Sequence, residues 1–182
     1  MRVLTIAGSI RPDSYNALLL RAVEEQAPAD TELQRFTGLA EIPPFHGDRT
    51  DPDPVPEPVA RLREEIDAAD AVLIATPEYN GSIPGTLKNA LDWMSVPFPD
   101  NVLKGKPVAV IGASTGGYGG MWAQAELRKV LGIIGARVVP ADFSLAHAHQ
   151  QFDEHGTLKP NQAARLAVAV EQLRAETQPL AA

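Results

Sequence analysis

Three short stretches hold the side chains with chemistry to offer. The first is Gly8-Ser9-Ile10-Arg11-Pro12-Asp13-Ser14-Tyr15-Asn16. Ser9 and Ser14 bring hydroxyls, Asn16 a carboxamide and Arg11 a guanidinium, on a turn that leaves an apolar run and enters a helical pattern. A helix N-terminus adds unpaired N–H groups and the positive end of the macrodipole. Together these donors suit a terminal phosphate monoester. The plain alternative is a Ser/Asn helix cap beside a surface arginine; four donors between Ser9 and Asn16 favour the phosphate. This is not a standard dinucleotide or triphosphate loop. GxGxxG is missing, because Trp122 stands where a third glycine would follow Gly117 and Gly119, and GxxxxGK[ST] is missing, because Gly105-Lys106 runs into Pro107. A mononucleotide phosphate held mainly by hydroxyls is what remains.

The second stretch is Thr76-Pro77-Glu78-Tyr79-Asn80-Gly81-Ser82-Ile83-Pro84-Gly85. Asn80-Gly81 is a strong turn signal, and Pro84 has its φ pre-set for a helix start. A loop so restrained presents its backbone amides rigidly and can read the polar edge of a flat heterocycle; an ordinary tight turn has the same composition. The third stretch, Ser114-Thr115-Gly116-Gly117-Tyr118-Gly119-Gly120, carries four glycines that permit close backbone approach to a ligand. The alternative there is a flexible loop.

Two other patterns compete. Gly112-Ala113-Ser114-Thr115-Gly116 satisfies GxSxG, the nucleophile elbow of serine hydrolases, and Asp142, Asp153, His147, His149 and His155 follow it. A hydrolase would leave the first stretch without a role, and the chain is short for that fold. His147-Ala148-His149 with Asp153 and His155 has no helix to fix a metal-binding pair and reads as surface loop, so no metal site is expected.

The elements that must position these stretches follow from periodicity. Apolar runs at 2–7, 71–76 and 107–113, an alternating run at 32–36 and a short run at 137–140 read as strands. Helical patterns lie at 15–26, 59–68, 86–94, 121–131 and 161–177. The order is βαβαβαβαβα. Strands that are continuously apolar are covered on both faces, hence parallel with helices on each side. The expected architecture is a three-layer, doubly wound, five-stranded parallel α/β sheet of order 2-1-3-4-5, in one domain over 1–182. The proline-rich segment 37–58 reads as an ordered surface loop. Ligands of open parallel sheets sit at the carboxyl ends of the strands. The three stretches follow strands 1, 3 and 4, which that order makes neighbours.

Composition narrows the chemistry. With 182 residues and no cysteine, thiol nucleophiles, CxxC redox motifs and cysteine metal sites are excluded, so a redox role must rest on a bound cofactor. Net charge −7 argues against nucleic acid as a partner. No apolar run approaches the roughly 18–20 residues of a membrane span, and residues 1–8 are too briefly apolar for a signal peptide. A cytoplasmic location is expected. An acidic chain that binds a phosphate must attract it locally, through Arg11, the hydroxyls and the first helix end.

The stretches GSIRPDSYNALLLRA, ADAVLIATPEYNGSIPGTLKNALDW and KPVAVIGASTGGYGGMWAQAELRKVL, in that order, resemble the flavodoxin-like NAD(P)H-dependent FMN reductase family, which includes quinone, chromate and azo reductases. The resemblance runs over about residues 2–140 and is loose beyond Asp142. It implies FMN as cofactor and NADPH or NADH as donor. Ser9, Arg11, Ser14 and Asn16 would hold the phosphate, Pro77, Glu78, Tyr79, Asn80 and Gly81 would lie along the isoalloxazine, and Ser114, Thr115, Gly116 and Gly117 would meet its other edge. Hydride would pass from nicotinamide to flavin N5, and electrons then to a small-molecule acceptor. The flavin does that chemistry, so no side chain is assigned a catalytic role and Glu78 could simply brace its loop. The resemblance also implies a homodimer or homotetramer, with Trp93 and Met94 as candidate contacts or ordinary core. A flavodoxin-type electron carrier is the other flavin-binding reading.

Overall fold

The computed structural model describes residues 1–47 and 54–177; the segment 48–53 of the proline-rich loop lies outside them. The strands are β1 (Arg2–Ala7), β2 (Glu32–Phe36), β3 (Ala71–Thr76), β4 (Pro107–Ala113), β5 (Arg137–Val138) and β6 (Phe143–Leu145). The helices are α1 (Tyr15–Gln26), α2 (Glu57–Asp67), α3 (Gly85–Met94), α4 (Met121–Ile134) and α5 (Pro160–Ala175). All strand pairs are parallel, in the order β2-β1-β3-β4-β5. This is the doubly wound, flavodoxin-like arrangement.

The expected five strands become six because the last position is split. β5 pairs with Pro107 and Val108 of β4, and β6 takes over along the same edge at Ile111–Ala113. Between them stands Pro140, which has no N–H to give the ladder. The gap is filled from α4: Arg128 Nη2 donates to Val110 O and Ala141 O, each at 3.0 Å, and to Asp142 Oδ1 at 3.2 Å. Burial pushes the Arg128 pKa down, and the Asp142 carboxylate opposes that shift.

Side-chain alternation builds two cores. Val72, Ile74, Val108 and Val110 meet Leu62, Ile66, Leu87, Leu91 and Leu127 on one face. Leu73, Ala75, Ala109 and Ile111 meet Leu19, Leu20, Leu166 and Leu173 on the other. Every residue of β3 and β4 is buried, which explains their unbroken apolar character.

Helix ends differ modestly from expectation. α2 begins at Glu57, with Pro58 in its first turn, where a missing N–H costs nothing. α4 continues through Gly132 to Gly135, whose φ of 103° and N–H bonds to Leu131 O and Gly132 O end it. For Trp93 and Met94 the structure selects the second of the two expectations, ordinary core. They are 0% and 1% exposed, within the chain's own core, so neither ring nor thioether is a surface for a partner. Trp93 Nε1 donates to Pro43 O at 2.8 Å and meets Phe45 edge-on, which ties the start of the proline-rich loop to α3.

Candidate functional site

The turn after β1 is braced by its own hydroxyls. Arg11 N donates to Ser9 Oγ at 3.3 Å, and Ser14 caps α1 by accepting from Asn16 N at 3.2 Å. Arg11 is exposed, and one guanidinium N–H folds back on Asp13 O at 3.1 Å. Asn16 is 2% exposed and its carboxamide makes a reciprocal pair of bonds: it donates to Ala113 O at 3.0 Å and accepts from Ala113 N at 2.9 Å. It clamps the start of α1 to the end of β4, 97 residues away.

The second loop is a tight hairpin. Tyr79 and Ser82 exchange N–H···O bonds of 2.9 and 3.1 Å across Asn80 and Gly81. Asn80 has φ 54° and Gly81 φ 78°, the positive pair that a type I′ turn requires. Tyr79 OH lies 3.2 Å from Ser9 Oγ, joining this hairpin to the first loop. Glu78 faces the third loop instead. Its Oε2 accepts from Trp122 N at 3.1 Å and Ala123 N at 3.3 Å. The residue at the α4 N-cap is Gly120, without a side chain to cap, so the carboxylate is supplied from another loop. Glu78 is thus a brace.

The third loop is pinned by the segment that resembles the family only loosely. Ser114 N donates to Leu145 O, His147 N to Gly116 O and Ala148 N to Ser114 O, at 3.0, 3.0 and 2.9 Å. Its glycines differ in kind. A Cβ on Gly119 would lie 2.8 Å from the Ser144 carbonyl carbon, so packing forbids it. On Gly116 and Gly117 it would meet nothing nearer than 3.6 and 3.8 Å. The fold itself does not require those two to be glycine; their bare, exposed backbone leaves room for a flat ligand. The Ser114 hydroxyl accepts from Gly116 N at 3.1 Å, and no histidine ring bonds it among the described residues. The serine-hydrolase alternative therefore has no base in place.

Ser9, Arg11, Ser14, Asn16, Pro77, Glu78, Tyr79, Ser114 and Thr115 line one cleft of about 130 Å³. Asn80, Gly81, Gly116 and Gly117 are not among the residues that line it. Tyr15 and Ala113 line it too and were not anticipated. Tyr15 directly follows the capping serine, a position that could have flagged it; Ala113 has no chemistry that could have. The cleft falls well short of the roughly 300 Å³ of a pocket that engulfs a whole cofactor. Its hydroxyls, Arg11 and the α1 N-terminus fit the phosphate end of a flavin mononucleotide.

The family model described as NADPH-dependent FMN reductase matches residues 1–150. The chain is 41% identical over 139 residues to a quinone reductase of Escherichia coli (strain K12), over 76% of this chain and 73% of the relative. It is 38% identical over 169 residues to an NAD(P)H-dependent FMN reductase of Pseudomonas aeruginosa, over 91% of this chain and 89% of the relative. Among solved structures it resembles FerB, a flavoenzyme NAD(P)H:(acceptor) oxidoreductase from Paracoccus denitrificans, with TM-score 0.84 and 31% identity over 96% and 98% of the two chains. The chain belongs to the NADPH-dependent FMN reductase family and is an FMN oxidoreductase that draws its electrons from NAD(P)H.

Proposed function

We propose that the cleft between the first, second and third loops is the FMN site, and that the acceptor reduced there is a quinone. The observation that carries this reading is the mutual bracing of the three loops, through Asn16 with Ala113, Tyr79 with Ser9 and Glu78 with α4. When bound, the flavin supplies the redox chemistry, so that NAD(P)H, a proton and a quinone give NAD(P)⁺ and a hydroquinone. Ser9, Ser14, Arg11 and the N–H groups of the first turn of α1 bind the phosphate. The Tyr79–Ser82 hairpin orients one edge of the ring through its fixed backbone, and Ser114, Thr115, Gly116 and Gly117 approach the other. Asn16 holds the two flanking loops in register while also lining the cleft beside the phosphate end. Pro77 and Glu78 shape the floor. The shallow cleft leaves a ring accessible from outside, as it must be if donor and acceptor use the same face in turn. The E. coli relative's name supports a quinone as acceptor.

The expected result is a purified protein that is yellow, releases FMN on denaturation and oxidises NADPH or NADH in the presence of a benzoquinone. A colourless protein that neither takes up FMN nor oxidises either nucleotide would overturn the reading. The same proposal includes a homodimer or homotetramer in the cytoplasm. An apolar groove lined by Phe45, Val96, Phe98, Ile133 and Ile134, with Ile133 72% exposed, supports the first part. Light scattering of the eluted protein and cell fractionation test the two parts.

A further inference from the structure

The start of α4, whose backbone is held by the cleft-lining Glu78, and the turn before it carry a pair of large rings that do not line the cleft. Tyr118 is 63% exposed and Trp122 51%, with ring centroids 4.8 Å apart at 56°. Met121, between them in sequence, is 48% exposed. Exposed rings of this size usually sit on yielding loops or are covered. Here the backbone beneath them is fixed. Trp122 N is held by Glu78, a cleft-lining residue. Met121 N donates to Tyr118 O at 3.2 Å. Gln124 Nε2 donates to Gly119 O at 3.1 Å and to Ser144 Oγ at 2.9 Å, which locks the turn that carries Tyr118. Gly119 packs on Ser144 and Leu145 with no room for a Cβ. Tyr118 directly follows Gly117 in the exposed part of the loop whose first residues, Ser114 and Thr115, line the cleft.

We propose that Tyr118 and Trp122 form an aromatic wall on the acceptor side of the site, which packs against the planar ring of a quinone and sets the preference for ring acceptors over compact ones. This rests on the FMN site and quinone acceptor proposed above. The argument is one of preorganisation. Two rings in mutual contact on a hydrogen-bonded turn offer stacking area at a smaller ordering cost than the same rings on a loose loop. Aromatic contacts of this kind discriminate by about two- to tenfold per ring. An octahedral anion such as ferricyanide has no ring to pack and gains nothing from them.

The test compares wild type with Trp122→Ala and Tyr118→Ala, each loaded with FMN. The ratio of kcat/KM for a naphthoquinone to that for ferricyanide falls about two- to tenfold in each variant, and further in the double variant. Equilibrium dialysis of anthraquinone-2-sulfonate against the oxidised holoenzyme, without NAD(P)H, shows a matching loss of affinity. Trp122→Phe restores most of both and guards against a folding defect in the alanine variant. An unchanged ratio with unchanged dialysis overturns the wall. So does a proportional loss on both acceptors, which would mark a structural role, or a change in molecular mass, which would make the pair a subunit contact. A wild-type enzyme that passes electrons from NAD(P)H to ferricyanide but not to any quinone overturns the acceptor reading instead, and the two failures are separable.

Discussion

Replacing Asn16 with alanine separates a clamp from a ligand. The carboxamide is 2% exposed and makes two bonds to the Ala113 backbone, at 3.0 and 2.9 Å. Alanine leaves both Ala113 N–H and C=O without that partner in a buried place, and each unsatisfied group costs about 1–3 kcal/mol. Partial relaxation brings the expected total to about 2–4 kcal/mol. For a chain of this size that lowers Tm by about 5–15 °C. Asn16→Asp fares little better, because a carboxylate can accept from Ala113 N but has no proton to give Ala113 O. The assay is urea unfolding of the FMN-free protein, followed by circular dichroism, with the m-value checked for constancy. The FMN-free form is essential: a residue that only touched phosphate would leave its stability unchanged and weaken FMN binding alone. A loss under about 1 kcal/mol without FMN, beside a large loss of FMN affinity, refutes the clamp and returns Asn16 to the phosphate.

Arg11→Ala does the reverse: because the side chain is exposed, unfolding of the FMN-free protein barely moves, while FMN binding read by fluorescence quenching weakens about ten- to a hundredfold, the range for a bond to a charged group. Gly81→Ala costs about 1 kcal/mol in unfolding, since its φ of 78° disfavours a Cβ although nothing lies within 4 Å to clash with one. The Asp153 carboxyl accepts from Thr157 N at 2.8 Å and His155 N at 2.9 Å, and its pKa is held below the usual carboxylate range, chiefly by the Thr157 backbone bond. A carboxyl depressed in the folded state stabilises its loop above the ordinary carboxylate pKa and loses that hold as pH falls through the lower folded value. Amide exchange at Thr157, corrected for its intrinsic acid dependence, therefore accelerates on acidification, and does so less in Asp153→Asn.

What the sequence reveals here divides by range. The strands, their order and the loops at their carboxyl ends follow from local pattern, because continuously apolar β3 and β4 admit few other folds. The Asn80-Gly81 hairpin is legible for the same reason: its two positive φ values are written into two adjacent residues. The details that local pattern does not carry are pairings across longer separations. Asn16 is a phosphate donor by type and a clamp by its bond to Ala113. Arg128 bridges a break in the edge strand from a helix that shows only an amphipathic pattern. Trp93 and Met94 end a helix, and nothing in an apolar side chain says whether the chain's own core or a partner covers it. The segment after Asp142 carries no motif, yet its backbone holds the third loop through Leu145, His147 and Ala148.

The electrostatics of the cleft resolve the apparent conflict between an acidic chain and an anionic cofactor. Net charge −7 is spread over a surface much wider than the roughly 8 Å over which charges act at physiological salt, so local groups decide. Two helices, α1 and α4, begin around this cleft, and each presents a positive end. Glu78 is the only carboxylate among the residues lining it, and its Oε2 is committed to the N–H groups of Trp122 and Ala123 at the start of α4. The acid is thereby matched to one helix end and withdrawn from the rest of the site. At α1 the cap is a neutral serine, with Arg11 nearby in the same turn. The α1 end has no carboxylate of its own among the residues lining the cleft, and that supports the proposed placement of the FMN phosphate there. Glu78→Gln would then do more than loosen α4: it would remove the charge that α4 balances and let that helix end compete for the phosphate, so FMN affinity should rise or hold as unfolding stability drops by about 0.3–1 kcal/mol. A fall in FMN affinity together with stability would show that the two helix ends are not independent.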